Sequence, residues 1–137
     1  MFSGASDEWE TPQSFYEKLN DEFHFTLDPC STHENAKSDN HYTAEEDGLL
    51  RDWTGETVFV NPPYGHKIKD WVRKCYEESR KPNTKVVMLI PARTDTTYFH
   101  DYIYGHAEIR FIRGRLKFEN NGVAKDAAPF PSMVVIF

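Results

Sequence analysis

Cysteine is scarce in this 137-residue chain, which holds only Cys30 and Cys75, and its first residues lack the basic and apolar stretches of an export signal. The two thiols therefore read as free rather than as a disulfide, and the expected location is cytoplasmic. Long apolar runs are also missing. Scattered charges and a mean hydropathy of -0.69 exclude a membrane span, and no repeat or low-complexity tract is present. Positive charge is in deficit, with 16 Lys and Arg against 22 Asp and Glu and a net charge of -6. That balance excludes a protein that holds nucleic acid by nonspecific attraction over its whole surface, so any DNA contact must be local. A zinc site assembled from Cys30, His33 and His41 lacks a fourth ligand at a recognisable spacing, and no metal is expected. What remains is ample for a core: hydrophobic residues make up 39% and aromatics 15% of the chain. One domain over residues 1–137 can bury roughly two-thirds of the surface its unfolded form exposes.

The most informative segment is Asn61-Pro62-Pro63-Tyr64, directly after the apolar run Thr57-Val58-Phe59-Val60. Two prolines fix φ and remove two backbone donors, which leaves the Asn61 amide and the Pro62 carbonyl as acceptors with few local partners. A pair of acceptors suits a planar amine, and the Tyr64 ring can stack on the heterocycle that carries it. The carboxyl end of a strand is where α/β sheets bind ligands. The plainer reading is turn punctuation or a short polyproline segment, but the strand before it and the amphipathic pattern after it favour a nucleobase clamp. An exocyclic amine is a poor nucleophile because its lone pair is delocalised into the ring. Two acceptors would free that pair, aim it, and stabilise the positive charge that grows on nitrogen during attack.

Along the chain, Thr11-Pro12 predicts the start of a helix carrying Phe15, Tyr16 and Leu19 and ending near Asn20. Phe23 to Leu27 alternates like a strand and runs into Asp28-Pro29-Cys30. Residues 31–47 are polar and weakly periodic, with a short helix considered at His33 to Lys37, and a connection this long is usually functional. Strands are predicted at Thr57 to Val60, Val86 to Ile90, Ile109 to Ile112, Leu116 to Phe118 and Ser132 to Phe137. Helical faces are predicted at Ile68, Trp71, Val72 and Cys75, and from an Asp95 cap through Ile103. Asn120-Asn121-Gly122 predicts a turn joining the last two strands. Strands separated by helices imply an α/β fold with a mostly parallel three-layer sheet and an antiparallel C-terminal edge. Asp28, Asp47, Asn61 and Pro91-Ala92-Arg93 would line one crevice at its strand ends. Cations gather at Lys67 to Lys74 and at Arg110 to Lys117.

These residues, in order, resemble the phage-type DNA N6-adenine methyltransferases, the small Dam-like enzymes. The resemblance rests on Trp9-Glu10-Thr11-Pro12, Leu27-Asp28-Pro29-Cys30, Glu34-Asn35-Ala36-Lys37, Tyr42-Thr43, Asp47-Gly48-Leu49 and Trp53. It continues through Val60-Asn61-Pro62-Pro63-Tyr64-Gly65, Pro91-Ala92-Arg93-Thr94, Gly114 to Phe118 and Ala128 to Ser132, so nearly the whole chain is covered. It implies a reduced class I methyltransferase-like (Rossmann-like) domain, S-adenosyl-L-methionine as cofactor, double-stranded DNA as partner, and a phage or bacterial host cell as setting. By the same resemblance, Asn61, Pro62, Pro63 and Tyr64 are catalytic. Trp9, Thr11 and Pro12 lie by the methionine part of the cofactor, Asp28, Pro29 and Cys30 form the loop beneath it, and Asp47 accepts from its adenine or ribose. Residues 28–32 contain no glycine, unlike the glycine-rich first turn usual in class I methyltransferases and like the small phage-type enzymes. With no separate recognition domain in the chain, DNA contact falls to Lys67, Arg93, Arg113, Arg115 and Lys117. The same clamp would also fit RNA adenine, cytosine N4 or a protein glutamine. From another class, the fold would serve as a DNA-binding module without turnover.

Overall fold

The computed structural model describes residues 9–137. Its first helix, α1 (Gln13–Phe23), begins one residue after Pro12 and buries Tyr16 and Leu19. Thr11 does not cap it; Pro12 occupies the cap position with no side-chain bond of its own, and Glu119 Oε2 accepts from the first helical amide, that of Gln13, at 3.3 Å. The helix also runs three residues past Asn20. It stops at His24, which takes the left-handed conformation (φ 57°, ψ 65°) and donates its N–H to the Asn20 carbonyl at 2.8 Å. Asn20 Oδ1 then accepts from the Phe25 amide at 2.8 Å, so one side chain closes the helix and sets the direction of exit.

That turn shortens the strand predicted at Phe23 to Leu27, because Phe23 belongs to the helix. Only Leu27 and Asp28 remain extended, and they form isolated parallel bridges to Val58 and His41. Strand β1 (Thr57–Val60) follows, then α2 (Ile68–Ser79), β2 (Lys85–Pro91) and β3 (Glu108–Phe111). The short strands β4 (Glu119–Asn120) and β5 (Val123–Ala124) precede β6 (Ser132–Ile136). As predicted, α2 turns Ile68, Trp71, Val72 and Cys75 inward. Val86 to Ile90 are fully buried, as expected of a strand covered on both faces.

The sheet order is β1-β2-β6-β3. Only β1 and β2 pair in parallel, while β6 is antiparallel to both β2 and β3. The sheet is α/β but not mostly parallel, and its antiparallel strand is central rather than an edge. The reason lies in β6 itself: all five residues are buried, so the strand is stabilised only with neighbours on both sides, and half-exposed β3 takes the edge. The Asn121-Gly122 turn forms where predicted, with φ of 54° and 81°, but it joins β4 to β5. Leu116 to Phe118 are not a strand; Phe118 is instead a buried anchor. The helix predicted from Asp95 is a single π-helical turn, Phe99–Ile103, and the Thr96 hydroxyl, not Asp95, accepts from its first amide. His33 to Asn35 form a turn without a helix.

Candidate active site

A cavity of about 680 Å³ opens beside the carboxyl end of β1 and the Leu27–Asp28 bridge segment. Its size falls in the usual range for small-molecule and cofactor sites. The structure brings Trp9, Thr11, Asp28, Pro29, Cys30, Asp47, Asn61, Pro62, Pro63 and Lys67 onto its wall. The other six predicted residues lie elsewhere. Pro12, Arg115 and Lys117 line a shallower neighbouring groove of about 350 Å³ with Lys18. Tyr64 lines neither, and the predicted crevice does not extend to Pro91-Ala92-Arg93, whose Ala92 amide is bound to the Pro131 carbonyl at 2.9 Å. Arg93 and Arg113 are exposed away from both.

Asn61 carries the most specific geometry. Its Nδ2 donates to the Trp9 carbonyl and to Thr11 Oγ1, the latter at 2.9 Å. Both amide hydrogens are thereby directed to the segment before α1, and the orientation of the side chain is fixed. Its Oδ1 is buried without a hydrogen-bond partner among the described residues. A buried amide oxygen left unmade costs about 1–3 kcal/mol, so an orphan of this kind on a cavity wall marks a place where a donor from outside belongs. Among the described residues no hydrogen bond ends on the Pro62 carbonyl. Ser31 Oγ, also on the cavity wall, is the second buried orphan there.

Tyr64 differs from its sequence reading. The ring is buried, its hydroxyl donates to the Leu89 carbonyl at 3.2 Å, and Phe118 and Phe130 stand edge-on to it at 6.1 and 5.6 Å. Burial, with the Cys30 thiol nearby, pushes its pKa well above that of an ordinary phenol. Trp9 meets the same two phenylalanines edge-on at 5.7 and 5.2 Å, so four rings form one cluster behind the Asn61 anchor.

The cavity floor is built from backbone. Asp28 is buried and accepts from the amides of Cys30 at 3.2 Å and Lys37 at 2.9 Å. Burial raises its pKa, and the two amides with His41 and Lys37 pull the other way without cancelling that shift. Asp47 takes a left-handed conformation (φ 54°) and accepts from the Leu49 amide, which starts the 3₁₀ turn Gly48–Leu50. Gly48 is required there by close approach: a Cβ would lie 2.1 Å from the Pro29 carbonyl oxygen. Gly48→Ala is expected to cost roughly 1–3 kcal/mol, because the obstacle is backbone that cannot step aside. Urea unfolding measures it, and an unchanged midpoint would show that the loop yields.

The wall carries six carboxylates, Glu10, Asp28, Glu34, Glu45, Glu46 and Asp47, against the two lysines 37 and 67. Such a lining repels a phosphate and suits a ligand bearing positive charge. Among the described residues no group of three or more His, Cys, Asp or Glu could hold a metal ion. Cys30 and Cys75 are not joined by a disulfide.

An acid-lined cavity at a strand end, closed by an amide with an open acceptor, defines a ligand-binding α/β enzyme rather than a phosphate-gripping module. The chain belongs to the DNA N-6-adenine-methyltransferase (Dam) family, which it matches over residues 2–137. It is similar to the DNA N-6-adenine-methyltransferase of Haemophilus phage HP1, with 32% identity over 136 residues, 96% of this chain and 78% of that protein. It is also 30% identical over 118 residues to the enzyme of that name from Escherichia phage T1, covering 85% of this chain and 49% of the relative. The match thus spans about half the length of the T1 protein. Membership and these relatives make the chain an adenine-specific DNA methyltransferase.

Several cavity residues were not read as site residues in the sequence: Ser31, Lys37, Gly48 and Trp71. Ser31 and Lys37 had the length of the polar connection as a signal, Lys37 and Gly48 also stand in segments that carry the family resemblance, and Trp71 had only its place on a helix face.

Proposed function

We propose that the chain transfers a methyl group from S-adenosyl-L-methionine to N6 of an adenine extruded from double-stranded DNA, with Asn61 Oδ1 and the Pro62 carbonyl receiving the amine. The observation that carries this reading is the buried, unpartnered Asn61 Oδ1 on the wall of the large cavity. The residues fit the cofactor: a cavity lined by six carboxylates suits a sulfonium bearing an α-ammonium. When bound, this group supplies an electrophilic methyl on positively charged sulfur.

The protein's part is positional and electrostatic. Each acceptor takes one N–H of the adenine amine, which draws nitrogen toward tetrahedral geometry and stabilises its growing positive charge. Held this way, the N6 lone pair would be free to take up the methyl as the donor departs as a neutral thioether, and the excess proton on N6 would then pass to water. Trp9, Thr11, Asp28, Pro29, Cys30 and Asp47 form the cofactor side, with Ser31 added. Pro12 acts indirectly, by starting α1 after the Trp9–Thr11 segment. Lys67 stands at the cavity, Arg115, Lys117 and Lys18 form a cationic groove for phosphates, and Arg93 and Arg113 extend the contact surface. The sheet, with Leu27–Asp28 beside β1, corresponds to a reduced class I methyltransferase sheet.

Tyr64 reaches the base only by exchanging its Phe118 and Phe130 contacts for the adenine face, an exchange of one set of ring contacts for another. Tyr64→Ala is expected to weaken capture of the extruded base by about 1–3 kcal/mol. A fluorescent adenine analogue at the target reports this; an unchanged signal counts against stacking. The reading as a whole is tested by labelled methyl transfer to duplex DNA, RNA and protein acceptors, with sequencing for N6-methyladenine. Label appearing in RNA, cytosine or glutamine, or no label in DNA, overturns it.

A further inference from the structure

We infer that Lys37 is the carboxylate receptor of the cofactor cavity and selects ligands that carry an α-amino acid tail. The inference rests on the proposed use of this cavity for S-adenosylmethionine. Lys37 is half-buried on the wall, in the stretch that joins the Asp28 segment to Asp47. Its backbone amide holds Asp28 Oδ2 at 2.9 Å, which fixes the Cα at the cavity floor. Its ammonium then crosses to α1, donates to Gln13 Oε1 at 2.8 Å and lies 5.9 Å from the centroid of the Tyr16 ring.

This ammonium is only partly satisfied. Gln13 takes one of its three donors, and among the described residues no carboxylate lies within ion-pair distance of it. Burial presses its pKa down, while the fields of Glu119, Glu10, Asp28 and Glu17 oppose that shift from further off. A half-buried cation on a residue of the cavity wall, with no counter-ion among the described residues, is completed by an anionic ligand group that forms charge-assisted hydrogen bonds. The other lysine on the wall, Lys67, is exposed and remains hydrated. The zwitterionic end of an amino acid fits this corner: the carboxylate goes to Lys37, and Glu10, also on the wall, is an acid available to its ammonium.

A purely structural role for Lys37, tying the 28–42 segment to α1, would not depend on the ligand's tail, and that separates the two. The experiment is calorimetry on the full chain with three ligands: S-adenosylhomocysteine, its decarboxylated amine analogue, and 5′-methylthioadenosine. In the parent protein, removing only the carboxylate is expected to weaken binding roughly 10- to 100-fold. Lys37→Met should weaken S-adenosylhomocysteine by a similar factor and leave methylthioadenosine unchanged, and Lys37→Arg should restore part of the difference. If the parent binds the decarboxylated analogue as tightly as the complete ligand, the assignment is overturned, and this arm needs no variant to fold. If Lys37→Met weakens all three ligands equally, the residue is structural and the assignment fails. Absence of binding by any of the three to the parent protein would instead remove the cofactor reading on which the inference stands.

Discussion

Asn61→Ala is expected to lower the rate of methyl transfer about 100- to 1000-fold, with cofactor affinity changed little. The magnitude is that of removing one preorganised acceptor from a charge that develops only in the transition state. Because Oδ1 has no partner among the described residues, its removal leaves no donor there without its acceptor. The loss therefore reports on the substrate. Nδ2 complicates the variant, since it also ties the Trp9 carbonyl and Thr11 Oγ1. Thr11→Val separates the two effects: it removes one anchor of the amide and keeps the acceptor, so a loss of less than about 10-fold is expected, in line with one ordinary hydrogen bond. Single-turnover rates at saturating cofactor measure both. Equal losses in the two variants would assign the effect to anchoring, and a parental rate in Asn61→Ala would remove the clamp.

The second large effect concerns stability. Glu78 is only 3% exposed, yet its carboxylate accepts from the Trp53 amide at 2.7 Å, Lys74 Nζ at 3.1 Å and Lys81 Nζ at 2.7 Å. Trp53 connects this carboxylate to the site. Its indole donates to the Gly48 carbonyl at 3.1 Å, its ring stacks on Trp71, and the Lys74 ammonium lies 5.1 Å over it. Glu78→Ala would strand the Trp53 amide and take the carboxylate counter-charge from the half-covered Lys74, leaving it only the Arg51 carbonyl as acceptor. Losing one member of a buried charged group costs roughly 3–5 kcal/mol. For a chain of this size that lowers Tm on the order of 10–20 °C.

The same carboxylate sets a pH dependence. Burial raises its pKa, but the donors Lys81, the Trp53 amide and Lys74 outweigh burial and hold it below the usual 4.5. An acid with a lowered folded pKa stabilises fully above its unfolded value and loses that contribution as pH falls through the folded one. The stability gap between parent and Glu78→Gln should therefore be flat near neutrality and shrink below about pH 4.5. A gap that widens on acidification, or a Glu78→Ala chain within 1 kcal/mol of the parent by denaturant unfolding, would show that the cluster is not stabilising.

How far the site was legible follows from how local its causes are. Proline geometry acts within one residue, so the stiffness of Asn61-Pro62-Pro63 could be read directly from the chain, and the apolar run before it placed the motif at a strand end, where the structure has it on the cavity wall. The helix face Ile68, Trp71, Val72 and Cys75 repeats at a period set by the backbone alone, and it is buried as the period requires. Thr11 shows the opposite case. Its type and position read as a helix cap, but a partner fifty residues away, Asn61 Nδ2, uses the hydroxyl instead.

Tyr64 was legible as an aromatic beside the acceptors, yet which way the ring faces depends on Phe118 and Phe130 from another part of the chain. Sheet order was beyond local reading for a similar reason. Strand β6 has the composition of any buried strand, and only competition among all the strands for two-sided cover puts it between β2 and β3.

By itself the sequence determined the helices with strong periodicity, the parallel unit from β1 through α2 to β2, and the position of Asn61-Pro62 at the end of a strand, because each arises from torsions and contacts among near neighbours. Tertiary structure alone decided the central antiparallel strand, the direction of Tyr64, and the meeting of Ser31, Lys37 and Gly48 with Asn61 around one cavity. Those outcomes depend on which distant surfaces exclude water from one another, a property of the assembled chain that no short stretch of residues contains.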